Sequence, residues 1–303
     1  GLLKVEGTHK AIGFAVDCNS RFCYLDPKTG AAAAVAEAAR NLVCSGAKPL
    51  AATDGLNLGN PEKPEIYWQF SQTIDGISEA CRVLDTPIVG GNVSFYNESK
   101  GQAIYPTPVI GMLGLVTDAD KVCTQSFKQA GDVVVLLGIN KGELGGSEYL
   151  QTVHGLATGC PPELDLSLEK RVQNVCLQAI GKGLIRSAHD CSEGGLAVTL
   201  AECCILGQLG AKITIEQSAP PAELLYGESH SRIVLSMAPE NLAELQQLAD
   251  QLDVPLEVIG QVQDGPLEIS GSSLERTVTP FINLPVQELE STWRGAIACH
   301  MDR

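Results

Sequence analysis

The sequence predicts an α/β protein of two domains. Three observations carry this. Short apolar, β-branched runs alternate with longer segments of helical periodicity, the 303 residues are enough for two ordinary domains, and the texture changes after "TDADKV" at 117–122. The domains are expected over 1–120 and 121–265, with a less regular tail over 266–303.

The elements follow in order. "AIGFAV" (11–16) reads as a buried strand and "DCNSR" as a polar turn. "GAAAAVAEAARNLVCSG" (30–46) is an alanine-rich helix stopped by Gly46, with Glu37 and Asn41 four apart and so on one face. "PLAATDGLNLGNPEKP" (49–64) is a strand that breaks into a loop. "EIYWQFSQTIDGISEACRVL" (65–84) is an amphipathic helix with Ile66, Phe70, Ile74, Ile77, Cys81 and Leu84 as core candidates. "TPIVGG" and "IYPTPVIGMLGLV" (104–116) complete the first unit as strands. In the second, "GDVVVLLG" (131–138), "AKITI", "RIVLSM" and "PLEVIG" read as strands, and 164–185, 195–207 and 240–252 as helices.

Composition narrows the classes of function. Hydrophobic residues make up 44% and aromatics 5%, as in a soluble globular protein, and no apolar run reaches the roughly 20 residues of a membrane helix. A net charge of −15 argues against nucleic acid, because neutralising a phosphate backbone needs clustered Lys and Arg. Phosphate ligands remain open, since backbone N–H groups and Mg²⁺ can hold them. Eleven scattered cysteines without a C-x-x-C pair read as small buried hydrophobes in a reducing compartment, which places the chain in the cytoplasm. The opening "GLLKVEGTHKAIGFAVDCN" has no Met and reads as entering a domain in mid-course, as a half of a larger enzyme would.

Neither G-x-x-x-x-G-K-[ST] nor a strand followed by G-x-G-x-x-G occurs, so a nucleotide site must be of another type. Three polar, glycine-rich breaks each follow a short apolar strand: "TDGLNLGN" (53–60), "GGNVS" (90–94) and "HDCSEGG" (189–195). Ligands collect where strands of α/β proteins end. Asp54 would orient phosphates through Mg²⁺, Asn92 offers a neutral oxygen for a hard cation, and Gly90 and Gly91 admit a ligand to the backbone. Ser94 would donate to a phosphate or a substrate hydroxyl, Asp190 would ligate a metal, and Ser192 would contact phosphate. The plain alternative for each is an Asx turn or a helix cap, Ser192 capping the helix that follows it. "LYGESHSR" (225–232) leaves His230 and Arg232 either meeting an anion or lining a polar surface. Cys191, the one cysteine in a polar break, has no histidine that sequence can pair with it.

"DCNSRFCYLDP", "AVAEAARNLVCSGAKPLAATDGLNLGNPEKPE", "VGGNVSFYNE", "YPTPVIGMLGLV" and "AHDCSEGGLAVTLAE" together resemble the phosphoribosylformylglycinamidine synthase family, in the C-terminal half of its small multi-subunit form. The resemblance runs in order from about residue 10 to 265. It implies the two-domain fold of the aminoimidazole ribonucleotide synthetase-like superfamily, whose N-terminal domain pairs through its sheet with a second half. It also implies an ATP-dependent ligase of purine biosynthesis. In that reaction ATP activates the formyl amide oxygen of formylglycinamide ribonucleotide, and ammonia then displaces phosphate. The implied partners are an N-terminal half carrying the catalytic groups, a glutaminase subunit that supplies ammonia, and a small assembly subunit.

By the same resemblance Asp54 and Gly91 are ATP contacts, Asn92 is a Mg²⁺ ligand and Ser94 is a substrate contact. Large single-chain relatives hold a structural nucleotide in a second cleft. On that analogy Glu37, Asn41 and Asp190 would hold its Mg²⁺ and Ser192 its phosphates, although the acidic residue expected near residue 11 is missing from Lys10-Ala11-Ile12. Two other classes stay open: a non-catalytic nucleotide-binding scaffold that dimerises, and another synthetase or kinase of the same fold.

Overall fold

A computed structural model describes residues 1–272 and 278–301. The first unit contains β1 (Leu2–Lys4), β2 (Ala11–Asp17), α1 (Ser20–Leu25), α2 (Pro27–Cys44), β3 (Lys48–Asn57), α3 (Pro64–Leu84), β4 (Ile88–Ser94), the small hairpin β5 (Glu98–Ser99) and β6 (Gln102–Ala103), and β7 (Thr107–Val116). Its main sheet has the order β1-β2-β7-β3-β4, parallel only between β3 and β4.

Only one face of this sheet is covered. Ala52, Leu56, Ile110 and Met112 pack against α2 and α3. Residues of opposite parity are left facing outward, with Phe14 47% and Val16 70% exposed. The helix α2 is buried nearly all round, which small residues permit. At Gly76 of α3 even a Cβ would collide with the Lys28 carbonyl, so the two helix backbones touch. Asp26 starts α2 by accepting from Lys28 N and Thr29 N at 3.1 Å each.

The second unit runs β8 (Val133–Leu137), α4 (Glu148–His154), α5 (Leu166–Lys182), β9 (Ser187–Asp190), α6 (Gly195–Gly207), β10 (Gly210–Glu216), α7 (Pro221–Tyr226), β11 (Ile233–Met237), α8 (Leu242–Gln251), β12 (Leu256–Gln263), β13 (Leu267–Ser272), β14 (Val278–Leu284) and α9 (Val286–Met301). Its seven strands are ordered β14-β13-β10-β12-β8-β11-β9. Helices lie on both faces: Val135, Leu137 and Leu235 pack with α5 and α8, and Val134, Leu136 and Ile213 with α6 and α7. Val43 and Cys44 of α2 enter the first of these cores, so the two units share a hydrophobic seam.

Several expectations are corrected. Of the polar turn expected at 17–21, Asp17 ends β2, and Ser20 and Arg21 open a helix, residues 20–25, capped by Asn19. "TDGLN" and "GGNVS" continue their strands instead of breaking them, because each pairs residue for residue with its neighbour. Residues 267–272 and 278–301 are regular: β13 pairs with β10, β14 with β13, and Leu267, Ile269 and Val286 join the core. Ile74 of α3 is 36% exposed, because it lies at the rim of the helix face that buries Thr73, Ile77 and Cys81. All eleven cysteines are free, eight of them buried. Among the described residues no helix is long and apolar enough to cross a membrane.

Candidate functional site

Two polar loci emerge, one at the edge of the first sheet and one at the seam between the units. At the edge, β4 pairs only with β3, so one row of its backbone N–H and C=O groups faces outward. Asp54 stands opposite Gly91, Gly55 opposite Asn92, and Asn57 opposite Ser94. A Cβ on Gly91 would collide with the Asp54 carboxylate and carbonyl, so Asp54 occupies the space that glycine leaves. Burial pushes the Asp54 carboxyl up from its ordinary value.

The pleat divides this motif. Asp54 and Gly91 share the parity of Ala52 and Leu56 and lie on the helix-covered face, whereas Asn92 and Ser94 lie on the uncovered one. Asn92 Oδ1 is 3.5 Å from where a Cβ of Gly55 would stand, on that same face. One ion therefore cannot bind both the Asp54 and the Asn92 side chains across the strand. Asn92 is exposed; Ser94 is half-buried and held by Asn97, whose Nδ2 donates to Ser94 O at 2.9 Å and to Leu58 O at 3.0 Å.

At the seam, Asn41 and Asp190 line a cleft of about 800 Å³ together with Ser45, Phe14, Val16, Thr124, Ser126, Lys128 and His189. Glu37 lies behind it on Arg40, whose guanidinium is fully buried. Arg40 Nη1 donates to Glu169 Oε2 at 2.9 Å and Nη2 to Glu37 Oε2 at 3.4 Å, while Nε is 3.9 Å from Asp190 Oδ2. Asp17 also joins this group. Burial, then the charge of Glu193, pushes its carboxyl up to about 7 against a hydrogen bond with Glu37. Burial and then Asp17 hold the Glu37 carboxyl well above the usual range. Asp190 goes the other way: burial opposes its charge, but the hydrogen bond from His189 and the Arg40 charge keep it below the usual range. His189, despite burial, is raised to about 9 by its hydrogen bonds with Asp190 and with Glu202, whose Oε2 is 2.8 Å away.

Larger relatives would have an acidic residue near position 11, and none stands there; Asp17, at the far end of the same strand, is the carboxylate that reaches the seam. Arg40, Glu169 and Glu193 are absent from the sequence-based candidates. A usable signal exists for Arg40, since Glu37 and Arg40 share one face of a helix whose run from Gly30 to Ala39 is otherwise small and apolar enough to be buried, and such a pair reads as a buried ion pair. Ser192 does not cap α6. That position belongs to Gly194, in the left-handed region at φ 82°, whose N–H donates to Glu228 Oε1 at 2.8 Å. His230 and Arg232 neither meet an anion nor line a polar surface. Both are buried, and Arg232 donates to Ser229 O, Gly227 O and Asn140 Oδ1 at 2.7–2.8 Å. Cys191 is 1% exposed with its thiol pushed up by burial, so it is no nucleophile.

Among the described residues no group of three or more His, Cys, Asp or Glu side chains is arranged to hold a metal ion. At the seam Arg40 is bonded to Glu37 and Glu169 and faces Asp190, so these three carboxylates do not fit a divalent cation. The edge locus offers single ligands, which is how Mg²⁺ is held when nucleotide phosphates supply its other oxygens.

The fold and these loci define a two-domain α/β protein with polar groups gathered at a sheet edge and at an interdomain cleft. Residues 1–116 match the family model "AIR synthase related protein, N-terminal domain" and residues 129–271 match "AIR synthase related protein, C-terminal domain". Curated relatives include the phosphoribosylformylglycinamidine synthase subunit PurL of Alkaliphilus metalliredigens, 49% identical over 99% of this chain, and that of Moorella thermoacetica, 50% identical over 100%. This chain spans 40% of the length of each. Among solved structures, Thermotoga maritima PurL complexed with FGAR superposes with a TM-score of 0.79 at 21% identity, covering 96% of this chain and 47% of that one. A HypE–HypF complex superposes with a TM-score of 0.66 at 14% identity, covering 93% and 92%. The chain belongs to the AIR synthase related family, and within it resembles the synthase subunit PurL.

Proposed function

We propose that this chain is the C-terminal half of an ATP-dependent formylglycinamide ribonucleotide amidotransferase of purine biosynthesis, working in the cytoplasm. It contributes to an active site completed by an N-terminal half. The observation that carries the reading is the uncovered apolar face of the first sheet beside the edge strand that bears Asn92 and Ser94. A sheet face with Phe14 and Val16 in water calls for a second sheet to cover it. Whatever covers it would meet Asn92 and Ser94 directly. The relatives' greater length supports the same division of labour, and the likeness to a T. maritima PurL complexed with FGAR supports formylglycinamide ribonucleotide as the substrate.

In this reading the groups of the chain bind and orient. Gly90 and Gly91 let ATP approach the exposed edge of β4, Asp54 fixes the nucleotide from the helix side, and Ser94 donates to the ribonucleotide. Asn92 is the ligand this chain offers to a Mg²⁺ that, bound with the phosphates, would neutralise charge developing on them. Catalytic groups come from the other half, ammonia from a glutaminase subunit, and assembly from a small third subunit. At the seam, Asn41 and Asp190 border a second nucleotide cleft to which we assign no metal, and Ser192, two residues beyond Asp190, is the group we assign to its phosphates.

The test is ammonia-dependent ATP hydrolysis with formylglycinamide ribonucleotide, for the chain alone and after co-expression with a matching N-terminal half. Turnover is expected only in the pair; a well-folded, inactive pair would sink the proposal. A charge on the uncovered face is expected to block pairing without unfolding the chain. Val16→Glu should leave the circular dichroism spectrum unchanged and elute unpaired from a sizing column, and a pair that survives it would locate the interface elsewhere.

A further inference from the structure

We infer that the Arg40 guanidinium is the permanent counter-cation of the carboxylate cluster between the domains. It stands where a divalent cation would stand and ties the first domain to the second. The seam would behave in this way whatever reaction the chain serves.

Glu169 comes from α5 in the second unit and Arg40 from α2 in the first, and both are wholly buried. The Glu169 carboxylate is saturated with donors. Its Oε2 accepts from Arg40 Nη1 at 2.9 Å and from Ser231 Oγ at 2.6 Å, and its Oε1 accepts from Gln173 Nε2 at 2.7 Å. Gln173 Nε2 also donates to the Ala36 carbonyl of α2 at 3.3 Å, so the network crosses the seam twice. Arg40 uses its remaining edge on Glu37 Oε2 and faces Asp190, where Arg40 Nε and Asp190 Oδ2 are buried without other partners. A planar fork with five donors can serve three carboxylates at once, whereas a cation of charge two placed among them would be repelled by it. The cluster is thus built for an arginine. Asp17 joins the cluster through Glu37, within hydrogen-bonding reach of it.

The experiment combines Mn²⁺ binding, followed by electron paramagnetic resonance, with thermal unfolding. Any Mn²⁺ held by the wild-type chain is expected to be unaffected by Asp190→Asn, and its unfolding midpoint to be unaffected by Mg²⁺. Arg40→Met leaves buried carboxylates without a counter-charge. It is expected to lower the midpoint by about 5–10 °C and to gain a Mn²⁺ site whose occupation restores part of that loss. If Arg40→Met does not fold, Arg40→Lys, which keeps the charge without the fork, is expected to fold with a smaller drop and to bind no additional Mn²⁺. Two results would overturn the inference: a wild-type Mn²⁺ site removed by Asp190→Asn but kept by Asp54→Ala, or an Arg40→Met chain with the wild-type midpoint.

Discussion

Gly91→Ala is expected to abolish ATP turnover in the paired enzyme while leaving the second unit folded. The new methyl would meet both the Asp54 side chain and the Asp54 carbonyl, and a backbone atom in a paired strand cannot swing aside. Either Asp54 rotates away or β4 separates from β3 along its edge. Both outcomes displace the groups that would receive nucleotide. A positional error of about 1 Å costs on the order of 10²-fold in rate, so a loss of at least that size is expected. Asp54→Ala removes the side chain and keeps the strand, so it should lose ATP turnover with little change in the unfolding midpoint. Steady-state kinetics and calorimetry on both variants separate the two. Normal turnover in Gly91→Ala would mean that the edge of β4 is not a nucleotide site.

A second large effect concerns pH. Burial raises the Glu228 carboxyl to about 7, although its Oε1 accepts from Gly194 N and Glu148 N at 2.8 Å each. Asp17 stands at about 7 for the same first reason. A carboxyl with a folded pKa above its unfolded value binds more protons in the native state, so stability falls as pH rises from about 4 to 7. His189, at about 9, extends that fall from 6.5 upward, because a raised histidine is stabilising while it stays protonated. Asp190 opposes these at the acid end, and His230, lowered to about 3 by burial and then by the charge of Arg40, opposes them up to about pH 6.5, because it must stay neutral in the fold. The chain should therefore lose stability as pH rises from about 6.5 to 9, where neither Asp190 nor His230 opposes the fall. Glu228→Gln keeps an accepting oxygen and removes the buried charge. It should flatten the profile between pH 4.5 and 7 by about 2–3 kcal/mol. Denaturant titrations at intervals of pH read this directly, and a Glu228→Gln profile as steep as the wild type would show that Glu228 is ionised at little cost.

Periodicity and turn chemistry are enough to place α2, α3, α5 and α6 and most strands, since the residues that determine a helix or strand are neighbours in the chain. The glycine-flanked motif at 90–94 and its partner Asp54 are legible for the same reason, as is the resemblance to a family. Distant neighbours are not. Whether Asp54 and Asn92 share a face depends on how β3 and β4 are registered, and a shift of one residue would reverse it. Arg40 meets Glu169 across 129 positions, Glu228 takes up the N–H of Gly194 34 residues away, and the segment after residue 266 finds its place by pairing β13 with β10. A buried charge reveals its purpose only through its partner, because the cost of removing it from water is met by groups brought from elsewhere in the chain. Local order along the chain thus specifies the elements and the family. Which faces those elements present, and which carboxylates an arginine already holds, are set only once the chain has folded back on itself.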